Sequence, residues 1–396
     1  MQISPLRPLR GDTVNRHGVS FLFRFFRFRE ALPFFLMAGG LFPSPTLVPV
    51  LAALAALSLL PFRKKLSPPP ALLLWSASWA LGAAGGGWEG LLRALLALTP
   101  LLLMDADSQS CIRAGAIATA LAGALAAGEK LLGRAAAEWM DASRFAALGG
   151  RAAFPFGNPN LLSAFLLMGL PLCLALQEER PLPGALCALF SLLGILASLS
   201  RTAMLGAGAL LLFWLFRRAK RPSRAAAVTV MGLSLLPPSL WHRALSVFSR
   251  GDTSGLYRLR LWQSLFRLSP QAALLGLGAD RGALFSALAP VMSAGLEKAE
   301  HTHSLYLGLL FSLGLAGLLS FFLLAGSILA PLFKLKSAAA LSLALSLLGA
   351  LFLGLSDDLF YDRRLFLWFH WLLGLGLSLS KKETSPCFIN PVDFSD

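Results

Sequence analysis

The chain has 396 residues, of which 56 % are hydrophobic and only 14 % are charged. Soluble domains carry a charge on about a quarter of their residues, so this composition excludes a soluble globular enzyme, a disordered protein and a disulfide scaffold. The formal net charge of +15 does not indicate nucleic-acid binding, because the basic residues form short clusters between apolar segments, as in the cytoplasmic loops of membrane proteins. We therefore predict an all-α, polytopic membrane protein.

Apolar segments that could cross a membrane recur along the whole chain, which is expected to form a single integral membrane domain over 1–396. A spanning helix needs roughly 20 apolar residues. We predict about twelve spans, near 31–44, 45–62, 69–87, 88–104, 111–128, 158–176, 182–199, 202–216, 225–240, 302–330, 337–356 and 364–380. Prolines interrupt the first two segments, which could instead form one re-entrant pair.

The distribution of lysine and arginine predicts the orientation of these spans. If the N-terminus is cytoplasmic, the basic clusters at 63–65, 217–224 and 381–382 are cytoplasmic as well, and so is the C-terminus. The connections that then face outside are 129–157, the turn at 200–201, the long loop 241–301 between spans 9 and 10, and 357–364. We therefore expect any chemistry with a substrate on the outer side of the membrane to involve these connections.

Several arginines lie on this outer side, against the usual bias, and an anionic substrate is the simplest reason for them. They are Arg201, Arg243, Arg250, Arg258, Arg260, Arg267 and Arg281. Arg201 follows a turn at bilayer depth, where ionisable residues are functional candidates; a contact with a lipid headgroup is the alternative.

Arg258 is distinguished from its neighbours by its position on a predicted amphipathic helix over 256–270. It projects with Leu261 and Leu265 on the apolar side, whereas Arg260 and Arg267 lie on the polar side. A charge on the apolar side must reach either the lipid headgroups or a cleft that holds a phosphate, for which a guanidinium is well suited.

Two histidines precede the tenth predicted span. His303 is expected on one helix face with Leu307, Leu310, Gly314 and Gly317, pointing into the protein, where its imidazole could accept a proton near neutral pH; capping or packing at the helix start is the alternative. His301 and His303 would diverge by about 200° on a helix. We therefore expect no metal site there, even with Asp280, Glu297 or Glu300 as further ligands.

A group of charged residues lies near the start of the last predicted span. Asp357, Asp358 and Asp362 stand close to Arg363 and Arg364. We predict a local ion-pair network, with the orientation of an arginine or of the histidine as the alternative.

Four sequence motifs together resemble the O-antigen ligase family over about residues 155–330. His303-Ser304 is followed by nine residues and by Gly314-x-x-Gly317. The other three are Arg201-x3-Leu205, Gly157-Asn158-Pro159-Asn160, and Arg258-x3-Trp262 followed by Gly276-Leu277-Gly278. The wider superfamily shares these elements and includes O-antigen polymerases and protein O-oligosaccharyltransferases.

The resemblance implies a bacterial inner-membrane glycosyltransferase that moves a glycan from undecaprenyl diphosphate to lipid A–core oligosaccharide, without a metal or another cofactor. Its partners would be that donor, that acceptor and membrane lipids, and not nucleic acid. An O-antigen polymerase or protein O-oligosaccharyltransferase using the same donor is the first alternative, and a transporter of lipid-linked sugars is the second.

The expected mechanism assigns a role to each candidate residue. His303 would act as the general base, while Arg201 and Arg258 bind the diphosphate, with inversion at the anomeric carbon. The further candidates for substrate binding are Arg260, His301, Asn158 and Asn160. Helix capping is the alternative role for the two asparagines.

Overall fold

The computed structural model describes residues 68–84, 87–104, 107–133, 148–218, 253–268, 270–280, 285 and 299–384. Within these ranges all regular structure is helical and no β-strand occurs, which confirms the predicted all-α class. The predicted spans at 31–44, 45–62 and 225–240 lie outside the described residues, as do Arg243, Arg250 and Arg281 of the loop 241–301. The total of twelve spans and the periplasmic position of that loop therefore stay predictions.

The described helices follow the predicted spans closely. They are α1 (Pro70–Ala83), α2 (Gly87–Ala97), α3 (Pro100–Leu103), α4 (Ser108–Leu132), α5 (Pro159–Glu179), α6 (Pro181–Ser198), α7 (Arg201–Arg218), α8 (Thr253–Leu268), α9 (Pro270–Leu275), α10 (Leu305–Lys334), α11 (Ala338–Gly354) and α12 (Arg363–Thr384). Among them α4, α5, α6 and α10 are long and apolar enough to cross a membrane, and α1 and α11 are shorter apolar helices.

Local sequence determines where several of these helices begin. Pro159 and Pro181 stand at the first helical position of α5 and α6, where the missing N–H has no partner to lose. The side chain of Asn158 caps α5 by accepting a hydrogen bond from the backbone N–H of Asn160 (2.8 Å). Leu199, with a left-handed φ of 51°, ends α6, so the chain reverses within two residues and α7 starts at Arg201.

Helix α5 is the most deeply buried of the four described helices that are long and apolar enough to cross a membrane. Of its most apolar 18-residue window, 89 % is buried, and it packs against α4, α6 and α11. Helices α4 and α6 also pack against each other, where Gly123 and Gly194 meet. A Cβ atom on Gly194 would lie 2.7 Å from the Cα of Gly123, so small residues are what lets these two helices approach closely.

Helix α10 is interrupted at Gly314, and next to this interruption it is hydrogen-bonded to the segment that follows α9. Gly314 has φ 71° and ψ −174°, a conformation that only glycine adopts readily. On the preceding turn, the carbonyls of Phe311 and Ser312 accept hydrogen bonds from Leu277 (2.9 Å) and Gly278 (3.0 Å). The first glycine of the Gly-x-x-Gly motif thus lies where this segment attaches to the helix that follows His303.

Candidate functional site

A cavity of about 100 Å³ lies where the loop before α5, the α6–α7 turn, α8 and the segment after α11 meet. The residues that line it are Arg151, Asn160, Ala164, Leu199, Ser200, Arg201, Thr202, Arg258, Leu353, Ser356, Asp357 and Leu359. Its wall carries three guanidinium groups and one carboxylate. The cavity is therefore suited to a small anionic group, such as a phosphate or a diphosphate.

Arg201 reaches the cavity because the α6–α7 turn is short. It is the first residue of the 18-residue helix α7 and is partly buried, and Ser200 and Thr202 line the cavity beside it. The N-terminus of a helix carries a partial positive charge from its backbone N–H groups. This charge and the guanidinium reinforce each other on this side of the cavity.

Arg258 reaches the same cavity from α8. It lies on the side of α8 that also carries Leu261 and Leu265, which are fully buried, whereas Arg260 and Arg267 are exposed. The indole N–H of Trp262 donates a hydrogen bond to the carbonyl of Thr302 (2.8 Å). The Arg258-x3-Trp262 motif therefore places one arginine on the cavity wall and, one turn later, ties α8 to the turn that holds His303.

His303 does not lie on the helix face that the sequence predicts. Helix α10 begins at Leu305, and His303 precedes it with a left-handed φ of 52°, so it does not continue the stripe of Leu307, Leu310, Gly314 and Gly317. The Thr302 hydroxyl stabilises this turn by donating to the carbonyl of Ser304 (2.7 Å), and the Asp358 carboxylate lies 3.2 Å from the same hydroxyl.

The environment of His303 favours the neutral imidazole. Burial lowers its pKa to about 3, and the neighbouring His301 and Arg258 act in the same direction, while Asp358 opposes them. Nδ1 of His303 is buried without a hydrogen-bond partner. It lies 4.0 Å from Oδ1 of Asp357, too far for a hydrogen bond, so the ring is unprotonated at physiological pH and is able to accept a proton.

The turn brings His301 and His303 together, which corrects the expectation that they diverge. Their ring centroids are 4.0 Å apart, because neither residue is helical. Potential ligand atoms of His301, His303 and Asp357 all lie within 4.8 Å of one another. A bound Zn²⁺ holds nitrogen and oxygen ligands at about 2.0–2.2 Å, so this group would have to contract to bind one, and it would do so beside the positive charge of Arg258.

The remaining candidates lie in different positions. Asn158 caps α5 and does not line the cavity, whereas Asn160 lines it. The Arg260 side chain is exposed outside the cavity wall. His301 is partly buried against the ring of Tyr361, with centroids 5.0 Å apart.

Two charged residues of the cavity wall were not among the candidates that the sequence indicates. Arg151 precedes the Gly157–Asn160 motif in the loop before α5, and only its occurrence in a predicted outer connection distinguishes it in the sequence. Asp357 was assigned to a local ion-pair network, but its carboxylate lies on the cavity wall next to His303.

Two arginines at the start of α12 form ion pairs. Arg364 pairs with Asp362 (2.6 Å) and donates hydrogen bonds to the carbonyls of Pro155 (3.2 Å) and Phe156 (3.0 Å). Arg363 pairs with Glu89 of α2. The predicted network thus exists for Asp362 and Arg364, and it supports the loop that precedes α5.

The described structure defines a helical, membrane-type protein with a cationic cavity beside a neutral imidazole. Residues 186–322 match the family model described as O-Antigen ligase, which confirms the resemblance indicated by the motifs. The matched range contains Arg201, Arg258, His303 and Gly314, and it supports assignment to the O-antigen ligase/polymerase superfamily of membrane glycosyltransferases. A comparison with curated proteins found no match.

Proposed function

We propose that this protein is an O-antigen ligase of the bacterial cytoplasmic membrane. It transfers a glycan from undecaprenyl diphosphate to lipid A–core oligosaccharide at the periplasmic face. The observation that carries this proposal is the meeting of Arg201 and Arg258, from helices distant in sequence, on one cavity wall, close enough to His303 for Arg258 to lower its pKa. The family match over 186–322 supports the same class of reaction.

The arginines bind the part of the donor on which negative charge develops. When the bond between the anomeric carbon and the diphosphate oxygen breaks, its electron pair stays with the diphosphate. Preorganised cations stabilise such developing charge without having to reorganise, and a guanidinium can donate two parallel hydrogen bonds to phosphate oxygens. Arg201 and Arg258 perform this role, whereas Arg260 is a reserve contact outside the cavity.

His303 removes the proton from the acceptor hydroxyl as its oxygen attacks the anomeric carbon. A general base is most effective when its pKa lies near the working pH, and that of His303 is about 3 without substrate. The diphosphate brings negative charge next to Arg258 and so offsets part of the repulsion that lowers this pKa. Donor binding therefore raises the basicity of His303 at the step that needs it.

The reaction proceeds with inversion and without a metal. The acceptor oxygen attacks opposite the leaving diphosphate in a single displacement, so the configuration at the anomeric carbon inverts. The transferred glycan is already activated by its diphosphate bond, and no nucleotide is consumed. His301 and Asn160 contribute contacts to the sugar or the acceptor, and Asn158 contributes through the start of α5.

The decisive experiment is transfer by the purified protein from a diphosphate-linked glycan to purified lipid A–core, with and without a chelator. We expect glycan attached to the core in both arms. Product only in the arm without chelator would contradict the metal-independent mechanism. In that case the cluster of His301, His303 and Asp357 is the group to test as its ligands.

Changing the acceptor separates ligation from the related reactions. A polymerase would extend a second carrier-linked glycan, and a protein glycan transferase would modify a polypeptide. A transporter would move the donor across the bilayer of a proteoliposome without breaking the bond to the diphosphate. Ligation predicts product with lipid A–core alone among these acceptors, and preference for another acceptor would overturn it.

A further inference from the structure

The cavity contains a third guanidinium, to which the proposed function has assigned no role. Arg151 stands in the loop between α4 and α5 and lines the cavity together with Arg201 and Arg258. It lies outside the range 186–322 that matches the ligase family. We propose that Arg151 binds the second phosphate of the donor and thereby selects diphosphate-linked over monophosphate-linked lipids; this inference rests on the proposed function.

The guanidinium of Arg151 is oriented by hydrogen bonds to two different helices. Its Nε donates a hydrogen bond to the carbonyl of Ser198 at the end of α6 (2.9 Å), and its Nη2 donates to Oδ1 of Asn160 on α5 (2.8 Å). A guanidinium carries five N–H donors in one plane. Two defined hydrogen bonds therefore fix that plane at the cavity wall, and Asn160 acts as a positioning residue for Arg151.

The loop that carries Arg151 is itself held firmly. The backbone N–H of Ala152 donates to the carbonyl of Ala197 (3.0 Å). The Glu129 carboxylate accepts from the backbone N–H groups of Ala153 (2.8 Å) and Phe154 (2.9 Å). A binding group on a loop with this many anchors loses little conformational freedom when a ligand arrives.

The next part of the loop is held by Arg364. Besides its hydrogen bonds to the carbonyls of Pro155 and Phe156, Arg364 lies over the ring of Phe156, 4.4 Å from its centroid. The charge of Arg364 is balanced locally by Asp362. Arg364 therefore supports the loop, and Arg151 supplies the charge on the cavity wall.

Charge balance gives a reason for three cations in one cavity. Asp357 contributes one negative charge to the wall, which leaves a formal excess of two positive charges. A diphosphate linked at both ends carries two negative charges, whereas a monophosphate linked at both ends carries one. The excess of two positive charges therefore equals the two negative charges of a diphosphate. Without Arg151 only one positive charge remains in excess, which equals the charge of a monophosphate.

The test compares the binding of two short probe lipids to the full-length protein in detergent. Both carry the same sugar, so that their phosphates are linked at both ends: farnesyl diphosphate N-acetylglucosamine and farnesyl monophosphate N-acetylglucosamine. For Arg151→Ala we expect the affinity for the diphosphate to fall about 10- to 100-fold, the usual effect of losing a hydrogen bond to a charged group, with a smaller change for the monophosphate. Arg151→Lys should recover part of the diphosphate affinity, because lysine keeps the charge but not the planar fork.

Arg113→Ala is the matched control. Arg113 pairs with Glu179 (2.7 Å) away from the cavity, so its removal should leave both affinities unchanged. Equal losses for the two lipids in Arg151→Ala would show that Arg151 only holds the loop and would overturn the proposal. Unchanged diphosphate affinity, or no binding of the diphosphate by the unmodified protein, would overturn it as well.

The binding measurement is independent of glycan transfer. If the unmodified protein prefers the diphosphate through Arg151 but transfers no glycan to any acceptor, the proposed function fails while this inference stands. If transfer occurs but Arg151→Ala keeps the full preference for the diphosphate, the inference fails while the proposed function stands.

Discussion

Two groups of arginines in this protein differ in their surroundings. Arg364 and Arg93 are buried, with exposures of 5 % and 4 %, and each pairs with a carboxylate and donates hydrogen bonds to two backbone carbonyls. Arg201 and Arg258 are partly buried and line a cavity. We infer from the contrast that a buried arginine with a carboxylate partner supports the fold, whereas an arginine on a cavity wall is placed to meet a ligand.

The buried arginines also help to position the segment that brings a carboxylate to the cavity. Arg93 donates hydrogen bonds to the carbonyls of Phe360 and Tyr361 and pairs with Glu89. These contacts hold the segment after α11, which supplies Asp357 to the cavity. Arg93 and Arg364 thus hold the segments that form the cavity wall, whereas Arg201 and Arg258 contribute positive charge to that wall.

The largest expected effect comes from His303→Ala. A general base contributes about 10²- to 10⁴-fold to a rate, so transfer by the purified variant should fall by that factor while binding of the donor persists. The protein should still insert into the membrane and accumulate, because the side chain is only partly buried and lies in the turn before α10, outside the packed helices. Transfer within tenfold of the unmodified rate would remove His303 from the role of base.

Arg364→Met should act on stability. It leaves the Asp362 carboxylate buried without its cation, and breaking a buried pair in this way costs about 3–5 kcal/mol. We expect a clearly lower unfolding temperature in detergent, with activity lost in proportion to the unfolded fraction. An inactive variant with unchanged thermal stability would place Arg364 among the residues that meet the ligand and would break the comparison.

Arg201→Lys and Arg258→Lys should show the opposite pattern. Lysine supplies a point charge without the planar fork that binds a phosphate through two hydrogen bonds. Most of the transfer activity should be lost while the unfolding temperature changes little. Normal ligation by either variant in a cell-based assay of surface polysaccharide would exclude that arginine from the diphosphate role.

Trp262→Phe should have a moderate effect, because it weakens the connection between Arg258 on α8 and the turn that holds His303. It removes the hydrogen bond to the Thr302 carbonyl, worth about 0.5–1.5 kcal/mol, and loosens α8 from the turn that holds His303. We expect transfer to fall severalfold, with Gln263→Ala, on the exposed side of α8, as the matched control. Equal activity in both variants would show that the contact does not align Arg258 with His303.

The smallest expected effect is that of pH on kcat/KM, which reports the free enzyme. Because the pKa of His303 is lowered to about 3, the imidazole stays neutral and able to accept a proton as the pH falls from 8 to about 5. The profile should be flat over this range, while that of kcat should begin to fall at a higher pH, since the bound donor raises the pKa. A decline of kcat/KM that begins near pH 6.5 would show that the pKa of His303 is not lowered in the free enzyme and would contradict this prediction.

The sequence predicted some parts of the site and failed on others for identifiable reasons. Helical periodicity placed Arg258 with Leu261 and Leu265, because a helix repeats the same geometry at every turn. The same periodicity was wrong for His303, because the helix begins only at Leu305. His303 stands in the turn before it with a left-handed φ, and this turn is held by Thr302 and by the distant Asp358. Hydropathy also agreed with the described helices, because the length of an apolar segment is a local property.

The sequence by itself determined that the chain is helical and apolar, and it indicated His303, Arg201 and Arg258 as candidate site residues. These conclusions depend only on composition and on spacing along the chain. Only the tertiary structure decided that Arg151 and Asp357 join them and that His301 lies against His303. The cavity walls come from segments far apart in sequence, and their distances are set by helix packing and by buried ion pairs, which no local pattern contains.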